Sequence, residues 1–285
     1  MRSDVATKAD QESRRLEHLG SMFDVRGLGV LVTGGGSGLG LTMGAALARA
    51  GATVTLLDRE EERLAAARAD LDGEGYEVGT VAVDITDADE LDAQFARVAA
   101  SRPGLHVVFA NAGISAGIGP RLKSGRLTEI DQDRWRSVLD VNLTGAMNTV
   151  ASAARHMTSG YGRIVVTSSV GGIRADPMVG YAYAATKAGV VGLVRNAALE
   201  LAPRNILVNA IAPGLFETNI RRANPTAQAM TADFARVSAL KRAGRLSELE
   251  GLAVYLASPA SSYVTGAVLS IDGGAAHTGP NEVEV

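Results

Sequence analysis

The sequence predicts a doubly wound α/β fold, an open sheet of about seven parallel strands with helices on both faces. Three observations carry that expectation. Short β-branched and aliphatic runs alternate strictly with longer helical patterns. The runs are apolar on successive residues, so both faces of the sheet must be covered. The segments between them are long enough for the helical crossovers that parallel neighbours require.

The first 25 residues mix Arg2, Asp4, Lys8, Asp10, Glu12, Arg14, Arg15 and Glu17 with few apolar ones. They read as a polar, helical extension lacking the hydrophobic centre of a signal peptide, and Met22 stands as a second candidate start. From Leu28 the strand runs are GVLVT, TVTLLD ending at Asp58, VGTVAVD ending at Asp84, HVVFA from His106, RIVVTS from Arg163, ILVNAI from Ile206 and VLSI near the end. Helical patterns fill the gaps: an Ala-rich segment to Arg49, a charged stretch from Glu60 to Leu71, a helix from about Trp135 to Met157, and another from about Val179 to Leu201. No linker, repeat or low-complexity segment interrupts the series, so residues 26–285 read as one domain.

Composition narrows the function classes. Of 285 residues, 46% are hydrophobic and 21% charged, which is the balance of a globular chain. A net charge of -3 supplies no electrostatic reason for a nucleic-acid partner. Cysteine is absent, which removes thiolate catalysis and cysteine-ligated zinc and suits a reducing, cytoplasmic setting. The histidines His18, His106, His156 and His277 have no ligand spacing, so no metal is expected. No apolar stretch approaches the roughly 20 residues of a bilayer span. The 33 glycines ask for a reason.

Part of that reason follows the first strand, in Thr33-Gly34-Gly35-Gly36-Ser37-Gly38-Leu39-Gly40. A chain that turns tightly from strand to helix, and presents its N–H groups to a diphosphate at the helix N-terminus, has no room there for Cβ atoms. The helix continues with Leu41-Thr42, which excludes the Lys-Ser/Thr of a phosphate-binding NTPase loop. Asp58 closes the second strand, where a carboxylate accepts hydrogen bonds from the adenosine ribose and repels a 2′-phosphate; this favours NAD over NADP. Its neighbour Arg59 pulls the other way. Asp84-Ile85 after the third strand and Asn111-Ala112-Gly113 after the fourth also stand at carboxyl strand ends, where ligands of open α/β sheets bind.

Tyr183 and Lys187 are four apart on a predicted helix and therefore share a face. A phenol with a pKa of about 10 is a poor base, and an ammonium one turn away favours its phenolate. Ser169 closes the fifth strand, fourteen residues before Tyr183, and can hydrogen-bond the same substrate oxygen.

Together these residues resemble the short-chain dehydrogenase/reductase family over about Val25 to Gly274. The glycine motif, Asn111-Ala112-Gly113, Asn142 in Val141-Asn142-Leu143, Ser169, Tyr183-x3-Lys187 and Pro213-Gly214 occur in the family's order. The resemblance implies a Rossmann-type fold, an NAD(P) cofactor and interconversion of a secondary alcohol and a ketone. It makes Asn142, Ser169, Tyr183 and Lys187 the catalytic set. By that resemblance Tyr183 would exchange the proton, Ser169 polarise the oxygen, Lys187 lower the tyrosine pKa and hold the nicotinamide ribose, and Asn142 anchor a water relay. Pro213-Gly214, Phe216 and Thr218 resemble the segment beside the nicotinamide, while Asp272-Gly273-Gly274 resembles the carboxyl-terminal signature. Ala110 and His106 depart from the family's usual asparagine and aspartate. An enoyl reductase of this kind would separate its tyrosine and lysine by six residues. The resemblance also implies a homotetramer built through the helices of Asn142 and Tyr183.

Substrate selection is expected from Ile114 to Arg126, Gly171 to Met178 and Leu215 to Met230, where Ile173, Met178, Phe216 and Met230 suit an apolar body and Arg121, Lys123, Arg126, Arg221 and Arg222 offer charge. Arg221 and Arg222, able to receive a carboxylate or a carrier phosphate, keep an NADPH-dependent 3-oxoacyl-[acyl-carrier-protein] reductase open as the alternative, with a non-catalytic NAD-binding sensor behind it.

Overall fold

The computed structural model describes residues 8–115, 117, 119–217, 231 and 233–276. After an exposed helix α1 (Lys8–Met22), strand and helix alternate: β1 (Gly29–Thr33), α2 (Gly38–Arg49), β2 (Thr53–Asp58), α3 (Glu61–Gly73), β3 (Gly79–Ala82), α4 (Ala88–Ala100) and β4 (Val107–Ala110). The second half holds α5 (Gln132–Leu139), α6 (Ala146–His156), β5 (Gly162–Thr167), α7 (Tyr181–Leu201), β6 (Ile206–Pro213), the short β7 (Phe216–Glu217) and β8 (Gly244–Arg245), α8 (Ser247–Ala257) and β9 (Val268–Ile271). Among the described residues no helix is long and apolar enough to cross a membrane.

The main sheet has the order β3-β2-β1-β4-β5-β6-β9, and every adjacent pair in it is parallel. Each strand divides its side chains between two cores by the period of two that a pleat imposes. Val30, Val32, Val107 and Phe109 join Met43, Leu47, Leu64 and Leu256 on the face of α2, α3 and α8. Leu31, Val108, Ala110, Ile164 and Val166 join Leu91, Phe95, Val150, Val190 and Val194 on the face of α4, α6 and α7. Strand order reverses between β1 and β4, and the crevice that opens at the carboxyl ends there is where such sheets hold ligands.

Both departures from the family pattern have quiet roles. Ala110 is buried in the second core. His106 accepts a hydrogen bond from the Gly29 N–H through Nδ1 at 3.0 Å, tying the amino ends of β1 and β4 together at the edge away from the crevice. Burial lowers its pKa, as befits a ring nitrogen used as an acceptor.

The predicted helix from Trp135 to Met157 is interrupted. Asp140–Gly145 forms a π-helical turn between α5 and α6, and Asn142 lies inside it. Such a turn inserts one residue into a helix, a local distortion found often at functional sites.

Candidate active site

A cavity of ≈ 750 Å³ occupies the crevice, lined from end to end by the loops that follow β1, β2, β3, β4, β5 and β6. At one end the β1–α2 turn supplies Gly34, Ser37, Gly38 and Leu39. Gly34 and Gly40 are required by contact. A Cβ on Gly40 would stand 2.1 Å from the Gly34 carbonyl oxygen, and one on Gly34, where φ is +64°, 2.8 Å from the Ala112 Cα. The helix can therefore begin directly against the strand ends, leaving its first N–H groups toward the cavity.

Asp58 is fixed at the same end. Its Oδ2 accepts from the Gly36 N–H at 3.1 Å and its Oδ1 from the Glu60 N–H at 3.3 Å, while the carboxylate faces the cavity. Arg59 also lines this end; it pairs with Glu60 at 3.1 Å and is more than half exposed. Asp84 and Ile85 line the wall beyond, and Asp84 Oδ1 caps the turn by accepting from the Thr86 N–H and hydroxyl. A glycine cradle with a backbone-held carboxylate beside it fits the diphosphate and adenosine ribose of a dinucleotide.

At the middle of the cavity Lys187 is fully buried. Its Nζ donates to the Thr167 carbonyl oxygen at 2.7 Å and lies 5.7 Å from the centroid of the Tyr183 ring. Desolvation lowers its pKa from 10.5 to about 8, which leaves it protonated at neutral pH. The helix is held in place here: Ser168 Oγ donates to the Lys187 carbonyl at 2.8 Å, and a Cβ on Gly172 would fall 2.5 Å from the Lys187 carbonyl carbon. Ser169 faces the same space, and its Oγ accepts from the Gly171 N–H at 3.1 Å, keeping its own hydrogen to donate.

Several sequence-predicted residues stand behind the wall. Thr33 is buried; its hydroxyl donates to the Phe109 carbonyl and accepts from the Asn111 and Ala112 N–H groups, setting the loop after β4. The Asn111 amide then donates to the Thr33 and Gly34 carbonyls and accepts from Thr167 Oγ1, linking the ends of β1, β4 and β5. Asn142 is completely buried, its Oδ1 accepting from the Ile114 N–H at 2.7 Å and its Nδ2 donating to the Ile114 carbonyl at 2.8 Å. This holds Gly113 so close that a Cβ there would lie 3.1 Å from Asn142 Oδ1 and 3.5 Å from Lys187 Nζ. Pro213 ends β6 fully buried in the sheet, and Phe216 packs into the first core, so Gly214 and Leu215 provide the lining of that segment. Thr218, Arg221, Arg222 and Met230 lie outside the described residues.

Sequence reasoning placed Arg121 and the segment Gly171 to Met178 at the substrate end, but it did not single out Arg174 and Asp176 within that segment and missed Asp233 and Arg236. Arg174, Asp176, Asp233 and Arg236 line the cavity with Arg121. The one available signal was the placing of Arg174 and Asp176 between a strand-end serine and the Tyr183 helix; nothing local marks Asp233.

The chain matches a family described as "Enoyl-(Acyl carrier protein) reductase" over residues 34–276. Cis-4-hydroxycyclohexanecarboxylate dehydrogenase of Sinomonas cyclohexanicum is 39% identical over 253 residues, covering 86% of this chain and 94% of the relative. A gluconate 5-dehydrogenase from Burkholderia cenocepacia, solved with NADP and tartrate, superposes with a TM-score of 0.81 at 33% identity, covering 90% of this chain and 98% of that one. A 3-oxoacyl-[acyl-carrier protein] reductase from Brucella melitensis with bound NAD gives 0.77 at 32% identity, covering 96% and 97%. The shared fold, the covered length and these relatives make the chain a member of the short-chain dehydrogenase/reductase family of NAD(P)-binding oxidoreductases.

Proposed function

We propose that the protein is an NAD-preferring dehydrogenase that interconverts a secondary alcohol and a ketone, with Tyr183 as the proton-transfer group. The observation that carries this reading is the buried Lys187 ammonium, 5.7 Å from the Tyr183 ring and anchored on Thr167, with Ser169 beside it in one cavity. In the oxidation, Tyr183 Oη accepts the hydroxyl proton, and in the reduction it returns that proton to the carbonyl oxygen. The fixed charge of Lys187 favours the phenolate through low-dielectric surroundings. Ser169 donates its hydroxyl hydrogen to the same oxygen and so polarises it. Gly34, Ser37, Gly38, Leu39, Asp58 and Asn111-Ala112-Gly113 would hold the dinucleotide, which when bound would supply the hydride acceptor for the alcohol carbon. Asn142 positions Gly113 and Ile114 against Lys187. Asp58 supports NAD, since its orientation suits ribose hydroxyls and its charge opposes a 2′-phosphate. The four-residue Tyr183 to Lys187 spacing favours carbonyl rather than enoyl chemistry, whatever the description of the matching family. We further place the enzyme in the cytoplasm as a homotetramer, on the cysteine-free composition and the family resemblance; light scattering that gives one, two or three chains would remove the tetramer.

A spectrophotometric screen of secondary alcohols and ketones, including an acetoacetyl thioester, with both cofactors in parallel tests the reading. Turnover with NAD is expected to exceed that with NADP. Tyr183→Phe is expected to lower kcat by about 10²- to 10⁴-fold while NAD affinity survives. A fully active Tyr183→Phe enzyme would refute the mechanism, and a higher rate with the thioester and NADPH would turn the reading to oxoacyl reduction.

A further inference from the structure

The far half of the cavity carries an unbalanced charge. Among the described residues, three guanidinium groups, those of Arg121, Arg174 and Arg236, face two carboxylates, Asp176 and Asp233. Asp233 is shared at the mouth, pairing with Arg121 at 2.9 Å and with the well-exposed Arg236 at 3.0 Å. Arg174 is deeper. Its side chain is 21% exposed and that of its partner Asp176 12%; the Nη2 to Oδ2 separation is a long 3.3 Å, and its buried Nε has no acceptor. Asp176 has a second duty, since its Oδ1 accepts from the Met178 N–H at 2.9 Å.

The ground under Arg174 is firm. The loop that carries it packs on the loop after β4, where the Gly119 N–H donates to the Met178 carbonyl and the Arg121 N–H to the Pro177 carbonyl at 3.2 and 3.1 Å. Arg174 also follows Ser169 by five residues, just past the 3₁₀ turn Val170–Gly172 that packs against Lys187, and its N–H donates back to the Val170 carbonyl at 3.0 Å. A guanidinium so placed, with one weak partner on Nη2 and Nη donors to spare, is built to receive an anion in two parallel hydrogen bonds.

We propose that Arg174 is the specificity-determining residue of the substrate half, and that the substrate is a secondary alcohol or ketone bearing a carboxylate. The surplus of one positive charge matches a carboxylate rather than a phosphate, which carries about -1.5 to -2 at neutral pH. The substrate class rests on the alcohol and ketone reading above; the anion site does not.

The test separates the two. Binding of cyclohexanecarboxylate to the protein with NAD is measured by calorimetry, without turnover, for the native enzyme and for Arg174→Gln, Arg174→Lys and Asp176→Asn. Turnover is compared for oxocyclohexanecarboxylates and 3-oxobutanoate against their methyl esters. Arg174→Gln should weaken the carboxylate by on the order of tenfold to a hundredfold, and lower the carboxylate-to-ester ratio of kcat/KM equally, through KM. Arg174→Lys should lose part of the binding, because an ammonium lacks the planar fork. Asp176→Asn, which removes the competing charge, should tighten it several-fold, a gain that a merely structural role for the pair would not give. Carboxylate binding that is absent from the native enzyme, untouched by Arg174→Gln, or outcompeted by inorganic phosphate overturns the proposal even if the ketones turn over. Arg174-dependent binding with no turnover of any ketone upholds the anion site and sinks the enzymatic reading.

Discussion

Lys187 sits in the cavity wall at a measurable cost. Its pKa falls from 10.5 to about 8 because burial disfavours the ammonium. Between those two values the unfolded chain holds a proton that the native protein has released, so native stability should rise with pH across that window. Below about pH 8 both states are protonated and the whole penalty applies, about 3 kcal/mol for a shift of this size. Lys187→Met is therefore expected to stabilise the cofactor-free protein by about 1–2 kcal/mol at pH 7, after the loss of the Thr167 hydrogen bond, while abolishing turnover. Urea midpoints at pH 7 and pH 10 check this, and an identical pH dependence in both proteins would remove the burial argument. Asp58 gives a second test at one residue. Because both its oxygens take backbone N–H groups, Asp58→Asn keeps an acceptor and removes the charge. The NADP-to-NAD ratio of kcat/KM is expected to rise on the order of tenfold, and no change would clear Asp58 of cofactor selection. The spacing of Tyr183 and Lys187 was legible in the sequence because a helix has a fixed period. The burial of Lys187 was not, since it depends on Thr167 and Gly172, which converge only in three dimensions.

Strands and crossovers were the most legible elements, since a run apolar on both faces has few other uses. The break between α5 and α6, Asp140–Gly145, escaped the sequence pattern: its single glycine, Gly145, stands at its end, and no proline marks it. What the break does is aim Asn142 into the interior, where its amide pairs with both backbone groups of Ile114. Thr33, Pro213 and Phe216 were read by position in a motif, and all three serve the scaffold behind the cavity, because a motif records what a segment does without separating its lining from its support. The same distinction divides the glycines. Gly40 lets α2 approach within contact of the Gly34 carbonyl, so Gly40→Ala should lower stability by about 1–3 kcal/mol and weaken NAD binding together. Gly73, the last residue of α3, has nothing within 4 Å of its ideal Cβ, and Gly73→Ala should raise stability by about 0.4–1 kcal/mol. Urea titration of the two variants, with NAD affinity alongside, is the check; a Gly40→Ala protein that unfolds and binds like the parent would show that the turn has slack.

At the scale of the molecule the two cores account for everything from Val25 onward. Val25 is buried at 1% exposure in the first core, and among the described residues none before it joins either cluster. Helix α1 stands outside that scheme: its residues from Gln11 to Met22 are all exposed, Leu16 at 65% and Leu19 at 55%, and it meets the rest of the fold at the 3₁₀ turn Pro259–Ser261. An element that buries so little apolar surface contributes little to folding free energy, whatever its own helical propensity. Removal of residues 1–22 is accordingly expected to shift Tm by less than about 2 °C, because Asp24, Val25 and Arg26 remain to start the first strand. Steady-state kcat/KM and NAD affinity should be unchanged, since among the described residues none of α1 lines the cavity. The decisive reading is the pair of measurements. A lower Tm with the same cofactor affinity would mean that α1 covers surface in the assembled protein, whereas loss of NAD affinity would show that the extension reaches the crevice of a neighbouring copy.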